Sequence, residues 1–361
     1  MTHLYVETRG QGPDLVLLHG WGLNLRVWDG LAGVLEKSFR LISVDLPGHG
    51  RSEWNPKART PAEQAWQIHA TLSSLSDRYS LLGWSLGGQI ALDLAAAMPG
   101  SVERLILVAT TPRFATGPDW PYGMPASVLE KMARQLRTNY KRTVNDFLEL
   151  QVRGSVASEK VLADLQASLF AHGEAHPKAL VSGLETLESS DLRPMLHLVR
   201  APALVIAGQY DRVTLPAASR ALAEALPAAR YIEIRRAAHA PFLSHTAEFA
   251  TLVTDFLRGD ADTSAAEGAP VTRMDTSSSH ASVSAARADT SPDQARTSAA
   301  DTPSTRETTS AETNTRHAGT GRVAREVATA PSNADVAPPV AGADHRGTAP
   351  PAPSKRLDSP S

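Results

Sequence analysis

A serine set between glycines, an acid and a histidine are the residues of this chain whose types and spacing support chemistry. Gly83-Trp84-Ser85-Leu86-Gly87-Gly88 closes the apolar run Tyr79-Ser80-Leu81-Leu82 and opens a helix-like stretch. In that strand-to-helix context Gly-x-Ser-x-Gly reads as a nucleophile elbow. Glycines two residues before and two after let neighbouring backbone pass close, and the hydroxyl stands exposed on a strained turn. A serine hydroxyl is a weak nucleophile near neutral pH, so a base must accept its proton and a third group must orient that base. Ala207-Gly208-Gln209-Tyr210-Asp211 puts an acid just beyond an apolar run ending at Ile206, and Ala237-Ala238-His239-Ala240-Pro241 puts a histidine just beyond one ending at Ile234. Serine, acid, histidine is the order expected with such an elbow, and ends of this kind are where open α/β sheets bind ligands. Ser85 is the candidate nucleophile, His239 the general base and then acid, and Asp211 the orienter of the imidazole. His245 and Asp191 are the rivals. His245 falls at the start of the last helix, where capping is its expected role, and Asp191 precedes a strand instead of following one.

The tetrahedral intermediate of such an attack carries an oxyanion, and one hydrogen-bond donor to it is worth about 10²–10³ in rate. Leu18-His19-Gly20-Trp21-Gly22, just after the first apolar run, has the form of a loop that supplies one backbone N–H, that of Trp21. The N–H of Leu86, next to the nucleophile, is the second donor. His19 beside the glycine turn reads as a brace for the loop, and the chemistry calls for no metal or other cofactor. Asp45-Leu46-Pro47-Gly48-His49-Gly50-Arg51-Ser52 reads as a tight loop at the sheet edge and pocket mouth, without a chemical role.

These residues need a scaffold, and the chain spells one. Apolar runs at 14–18, 39–44, 79–82, 104–108, 203–206 and 230–234 are continuous, not alternating, as in parallel strands covered on both faces. Helix-like stretches at 27–37, 62–74, 88–98, 217–226 and 247–257 separate them. The expected fold is α/β: a mostly parallel wound sheet with helices on both faces. The interval from about Thr111 to Arg193 breaks the rhythm with a Pro/Gly-rich passage at 112–125. Helical segments follow at 126–137, 141–151 and 158–170, which predict an inserted lid. The division is therefore core 1–111, helical lid 112–193, core 194–258 and tail 259–361. From Asp260 onward there is no Phe, Trp, Tyr or Ile and a single Leu, Leu357. Such a segment buries too little apolar surface to offset the entropy of ordering, and the tail is expected to be disordered.

Composition removes whole classes of function. The absence of cysteine excludes disulfides, thiolate metal sites and a cysteine nucleophile. A formal net charge of −2, from 36 Lys and Arg against 38 Asp and Glu, gives no broad field for nucleic acid or an anionic membrane. No stretch is apolar for the eighteen or so residues of a membrane span, and the N-terminus lacks a signal-peptide pattern. A cytoplasmic monomer is the expectation.

The succession of Leu15–Gly22, Val44–Ser52, Gly83–Gly88, Leu204–Asp211 and Ala237–Pro241 resembles the α/β-hydrolases over nearly all of residues 1–258. Trp21, Trp84, Arg142-Thr143-Val144 and Phe147-Leu148-Glu149-Leu150-Gln151 narrow the resemblance to the BioH-type carboxylesterases of biotin synthesis. That resemblance implies hydrolysis of the methyl ester of pimeloyl-acyl carrier protein to free pimeloyl carrier protein and methanol. It implies Ser85, Asp211 and His239 as the triad, and Trp21, Ser85, Leu86, His239 and Phe147 to Gln151 as substrate-contacting positions. It also implies an acidic acyl-carrier protein as partner, met by lid arginines for which Arg142 and Arg153 are the counterparts, helped by Arg134, Arg137 and Lys141. Asp146 stands where the pattern often has Arg. Two other readings use the same residues: a broad-specificity short-chain carboxylesterase, and a hydrolase-fold protein that binds a small ligand without turnover.

Overall fold

The computed structural model describes residues 3–259; the expectation for the tail lies outside them from residue 260 onward. Seven strands form one sheet: β1 (Val6–Arg9), β2 (Asp14–Leu18), β3 (Arg40–Val44), β4 (Tyr79–Trp84), β5 (Val102–Val108), β6 (Ala203–Gly208) and β7 (Ala229–Ile234). Their order is β1-β3-β2-β4-β5-β6-β7, with β1 antiparallel to β3 and every other pair parallel. Every residue of β4 and β6 is buried. Central parallel strands are covered on both faces, which is why their sequences are apolar without alternation. β1 escaped the sequence reading because Val-Glu-Thr-Arg is a half-buried edge strand with little apolar signal.

Helices α1 (Asp29–Leu35), α2 (Pro61–Leu72) and α3 (Leu86–Ala97) cross over between the first strands. The predicted helix over 27–37 is split. Asn24 caps a short 3₁₀ turn, Leu25–Trp28, by accepting from the Arg26 N–H, and α1 follows. α2 starts with a capping box, Thr60 and Glu63 satisfying each other's backbone N–H groups, and with Pro61 in the first turn. α3 is buried from Leu86 to Ala96, as a helix under the centre of a sheet must be.

Four helices stand between β5 and β6: α4 (Ala126–Thr138), α5 (Tyr140–Val152), α6 (Ser158–Ala171) and α7 (Pro177–Ser189). The last was not singled out from the sequence. Its start is marked by Pro177 and by the His176 ring, which accepts from the Lys178 N–H. The two ends of this insertion are tied together. Arg113 and Asp191 form an antiparallel bridge, and the Arg193 guanidinium grips both Asp191 and Asp119. After β6 come α8 (Pro216–Ala225), then, beyond β7, α9 (Pro241–Ser244) and α10 (Thr246–Arg258), which ends on Gly259 at φ 81°. That left-handed residue closes the helix, a conformation glycine adopts without cost. Among the described residues no helix is long and apolar enough to cross a membrane.

Candidate active site

Ser85 follows β4 directly and adopts φ 55°, ψ −115°, a strained conformation for a residue with a side chain. The surrounding glycines explain how the chain tolerates it. A Cβ on Gly83 would lie 2.5 Å from the Gly87 carbonyl oxygen, one on Gly87 would run into the Leu18 and His19 carbonyls, and one on Gly88 into the Thr110 side chain. The Ser85 N–H donates to the Val108 carbonyl at 2.9 Å, fixing the elbow to β5. Leu86 is the first residue of α3, so its N–H has no acceptor within the helix and is free to point at a ligand.

Asp211 lies in the turn after β6 and His239 in the turn after β7, both buried. Asp211 Oδ1 accepts from the N–H groups of Val213 (2.8 Å) and Thr214 (3.0 Å), which leaves Oδ2 aimed at His239 Nδ1, 2.8 Å away. A carboxylate only accepts, so Nδ1 carries the proton and Nε2 is left as the basic nitrogen. The two loops can approach this closely because residue 208 is glycine: a Cβ there would collide with the Ala238 carbonyl.

His239 is also held through its backbone, by two groups the sequence reading did not connect to it. Its N–H donates to the Gln151 carbonyl of α5 at 3.0 Å, and its carbonyl accepts from the Trp84 indole N–H at 2.8 Å. Trp84 is 1% exposed, and Gly20 of the loop after β2 packs against its ring: a Cβ on Gly20 would lie 3.3 Å from it. One tryptophan beside Ser85 thus touches the loop of His239 and the loop of Trp21. Trp84 was visible in the motif; its partners, 155 residues apart in the chain for His239, were not.

Trp21 is buried at the end of that loop, edge-on to Phe147 of α5 at 5.2 Å between ring centroids. Its indole N–H donates to the Leu180 carbonyl of α7 at 2.9 Å, and Gly183 leaves room for it, since a Cβ there would come within 2.6 Å of its Cδ1. His19 braces the same loop. Its Nδ1 donates to the Gly20 carbonyl (2.8 Å), and its Nε2 accepts from the Leu46 N–H (3.0 Å). Burial, reinforced by the neighbouring His49, holds its pKa well below the ordinary imidazole value, in keeping with a neutral brace. The Asp45–Ser52 loop is tied to the insertion as well. Asp45 accepts from the Leu25 and Arg51 N–H groups, and His172 Nε2 lies 3.0 Å from its Oδ2. Burial pushes the Asp45 carboxyl above its usual value.

Five consecutive helical residues cannot share one face, and α5 distributes Phe147 to Gln151 accordingly. Phe147, Leu148 and Gln151 are buried, Leu150 is half-buried, and Glu149 points to solvent. Arg142 and Arg153 are exposed, and Arg142 lies 3.8 Å from Asp146 one turn on. Of the rivals, His245 shares a hydrogen bond with Ser244 at the start of α10. Asp191 belongs to the arginine pair at the base of the insertion, where Arg193 lowers its pKa. Among the described residues no group of three or more His, Cys, Asp or Glu is arranged to hold a metal ion.

Comparison with known proteins agrees with the fold. The family described as alpha/beta hydrolase fold matches residues 13–246. A pimeloyl-[acyl-carrier protein] methyl ester esterase of Nitrosomonas europaea is 43% identical over 249 residues, 69% of this chain and 97% of that protein. One of the same name from Stenotrophomonas maltophilia (strain K279a) is 39% identical, over 70% of this chain and 96% of its own length. The solved structure of an enol-lactonase from Burkholderia xenovorans LB400 superposes with a TM-score of 0.63 at 28% identity, covering 71% of this chain and 97% of that one. The chain belongs to the alpha/beta hydrolase family and, within it, with the pimeloyl-[acyl-carrier protein] methyl ester esterases.

Proposed function

We propose that this protein is a serine carboxylesterase that hydrolyses the methyl ester of pimeloyl-[acyl-carrier protein] to the free acid and methanol, a step of biotin synthesis. The observation that carries the reading is the 2.8 Å contact of His239 Nδ1 with Asp211 Oδ2 beside a strained Ser85, in a chain 43% identical to an esterase of that name.

In this mechanism Ser85 Oγ attacks the methyl ester carbonyl while His239 Nε2 takes its proton. The imidazolium that forms is stabilised by Asp211, whose other oxygen is pinned by two backbone N–H groups. The oxyanion is received by the N–H groups of Trp21 and Leu86. His239 returns its proton to the methoxy oxygen and methanol departs, leaving the pimeloyl chain on Ser85. Water, deprotonated by the same His239, then attacks the acyl-enzyme, and the collapsing intermediate restores Ser85 with its proton. Trp21, Phe147 and Gln151 shape the acyl site between the oxyanion loop and the insertion, and the exposed Arg142 and Arg153 suit rim contacts with an acidic carrier.

The test compares purified protein and Ser85→Ala on pimeloyl-carrier-protein methyl ester and on dimethyl pimelate, measuring methanol release. Much higher kcat/KM on the carrier-bound ester, lost in Ser85→Ala, is the expected result. Equal or better turnover of the small ester makes this a general carboxylesterase, and turnover of neither makes it a ligand-binding protein.

A further inference from the structure

In the order of the sheet, β5 stands between β4, which leads into Ser85, and β6, which leads into the turn of Asp211. The residues just past β5 therefore lie between those two turns. Ala109 leaves the strand at φ 46° and is fully buried, a left-handed conformation that an alanine keeps only where its surroundings hold it. Its N–H donates to the Ile206 carbonyl of β6 at 2.8 Å. Thr110 follows, also buried. Its Oγ1 donates to the Val108 carbonyl at 2.9 Å, the same oxygen that accepts the Ser85 N–H, and lies 3.5 Å from the Ser85 carbonyl. A carbonyl offers two lone pairs, and those of Val108 are both taken. The Thr110 side chain also fills the space that Gly88 leaves open in the first turn of α3, and from that turn the Gln89 side chain donates to the Thr111 carbonyl at 3.0 Å. On the side of α8, the buried Ser219 donates its hydroxyl to the Thr110 carbonyl at 2.9 Å.

Ser219 continues this path to the acid. Asp211 Oδ1 accepts from the N–H groups of Val213 and Thr214, and the Leu215 carbonyl accepts from those of Ala218 at 2.8 Å and Ser219 at 3.3 Å. Hydrogen bonds thus run from the Ser85 N–H through Val108, Thr110 and Ser219 to the segment that carries Asp211. Valine has the shape of threonine, so filling space does not by itself call for a hydroxyl at 110; what the hydroxyl adds is direction. On the reading that Ser85 is the nucleophile and Asp211 orients His239, we infer that Thr110 and Ser219 are positioning residues for that reaction. Their hydroxyls hold the turn of Ser85 at a fixed separation from the segment of Asp211, and so set how His239 meets Ser85. Both hydroxyls are buried and committed to carbonyls, so they act through the backbone and not on substrate. Leu86 opens α3 next to Ser85 and is carried by the same turn, so its N–H is placed together with the Ser85 hydroxyl. Slack in this brace spoils the alignment needed in the transition state, whereas Trp21, Phe147 and Gln151, which shape the acyl site, stand outside it. Its loss belongs in kcat and not in KM.

The experiment uses the full chain carrying Thr110→Val, Thr110→Ser, Ser219→Ala, or Thr110→Val and Ser219→Ala together. Tyr79→Phe is the control, since it removes a buried hydroxyl, 3.4 Å from the His69 ring, at the opposite end of β4. For each, kcat and KM on p-nitrophenyl butyrate are measured beside the midpoint of urea unfolding. The expected result is a fall in kcat of about tenfold in Thr110→Val and about threefold or more in Ser219→Ala, with KM within about twofold. Thr110→Ser restores the hydroxyl and should stay within about twofold of wild type, as should Tyr79→Phe. The double variant should fall by less than the product of the single effects, because both hydroxyls lie on one path. Where Thr110→Val does not fold, Ser219→Ala against Tyr79→Phe decides. The brace is overturned if Thr110→Val or Ser219→Ala keeps full kcat, if Thr110→Ser loses as much as Thr110→Val, if Tyr79→Phe loses as much as either, or if the double variant reaches the product. Ser85→Ala, run alongside, separates the two readings. If it is inactive, those outcomes remove the brace alone; if it retains turnover, Ser85 is not the nucleophile and both readings fall.

Discussion

Replacing Trp84 by Phe isolates the contact that fixes the loop of His239 to the turn that carries Ser85. The substitution keeps a ring among Trp28, Phe242 and His239, whose centroids lie 6.3, 4.9 and 5.6 Å from that of Trp84. It deletes the indole N–H that donates to the His239 carbonyl at 2.8 Å. A buried carbonyl without its donor costs about 1–3 kcal/mol, and the smaller ring leaves a void worth on the order of 1 kcal/mol more, so a loss of about 2–4 kcal/mol is expected in urea unfolding. The kinetic effect comes from position. With the carbonyl released, the His239 backbone is held by the Gln151 carbonyl alone at 3.0 Å. A displacement of the base approaching 1 Å costs up to about 10²-fold, so kcat for p-nitrophenyl butyrate should fall roughly ten- to a hundredfold. Phe242→Leu is the control, since it loosens the same aromatic cluster without touching the donor. It should lose comparable stability and keep kcat. If folded Trp84→Phe retains kcat within about twofold, or if Phe242→Leu loses as much, the staple does not position the base and the reasoning fails.

Three further outcomes follow from the geometry. Asp211→Asn presents an amide to His239 Nδ1, favours the wrong tautomer and should lower kcat by about 10⁴ with circular dichroism unchanged; a drop below about tenfold would remove Asp211 from the orienting role. Gly183→Ala drives a Cβ to within 2.6 Å of Trp21 Cδ1 and should lower kcat/KM about tenfold despite alanine's better helix propensity, whereas Gly30→Ala, with open space around its Cβ, should leave activity intact. Burial pushes the Asp93 carboxyl from 3.8 to about 6. As pH rises through that window the unfolded chain gives up its proton first, so stability falls, by on the order of 3 kcal/mol once both states are ionised. Asp93→Asn should therefore stabilise the protein at pH 7.5 and lose that advantage near pH 3.5, as urea titrations at the two values would show; equal gains at both would refute it.

The elbow was legible because its requirements are local: Gly83, Gly87 and Gly88 are needed where Leu18, His19 and Thr110 crowd the turn, and the sequence displays the glycines even though it hides the crowding atoms. The central strands were legible because burial on both faces forces continuous apolar runs. Edge strand β1 and helix α7 were not, the first for want of apolar signal and the second because its purpose lies in distant partners. Leu180 and Gly183 mean nothing until Trp21, about 160 residues earlier, packs on them. The run Phe147 to Gln151 shows the limit from the other side. A linear motif treats its members alike, whereas a helix turns Glu149 outward and gives the Gln151 carbonyl to His239.

The reaction type was legible in the sequence alone, because Ser85, Asp211 and His239, the candidate nucleophile, acid and base, follow apolar runs in a diagnostic order with turns that need particular residues. How His239 is held came from tertiary packing. The Trp84 staple and the Gln151 carbonyl each join residues far apart in the chain, and such contacts arise from packing, which no local pattern encodes.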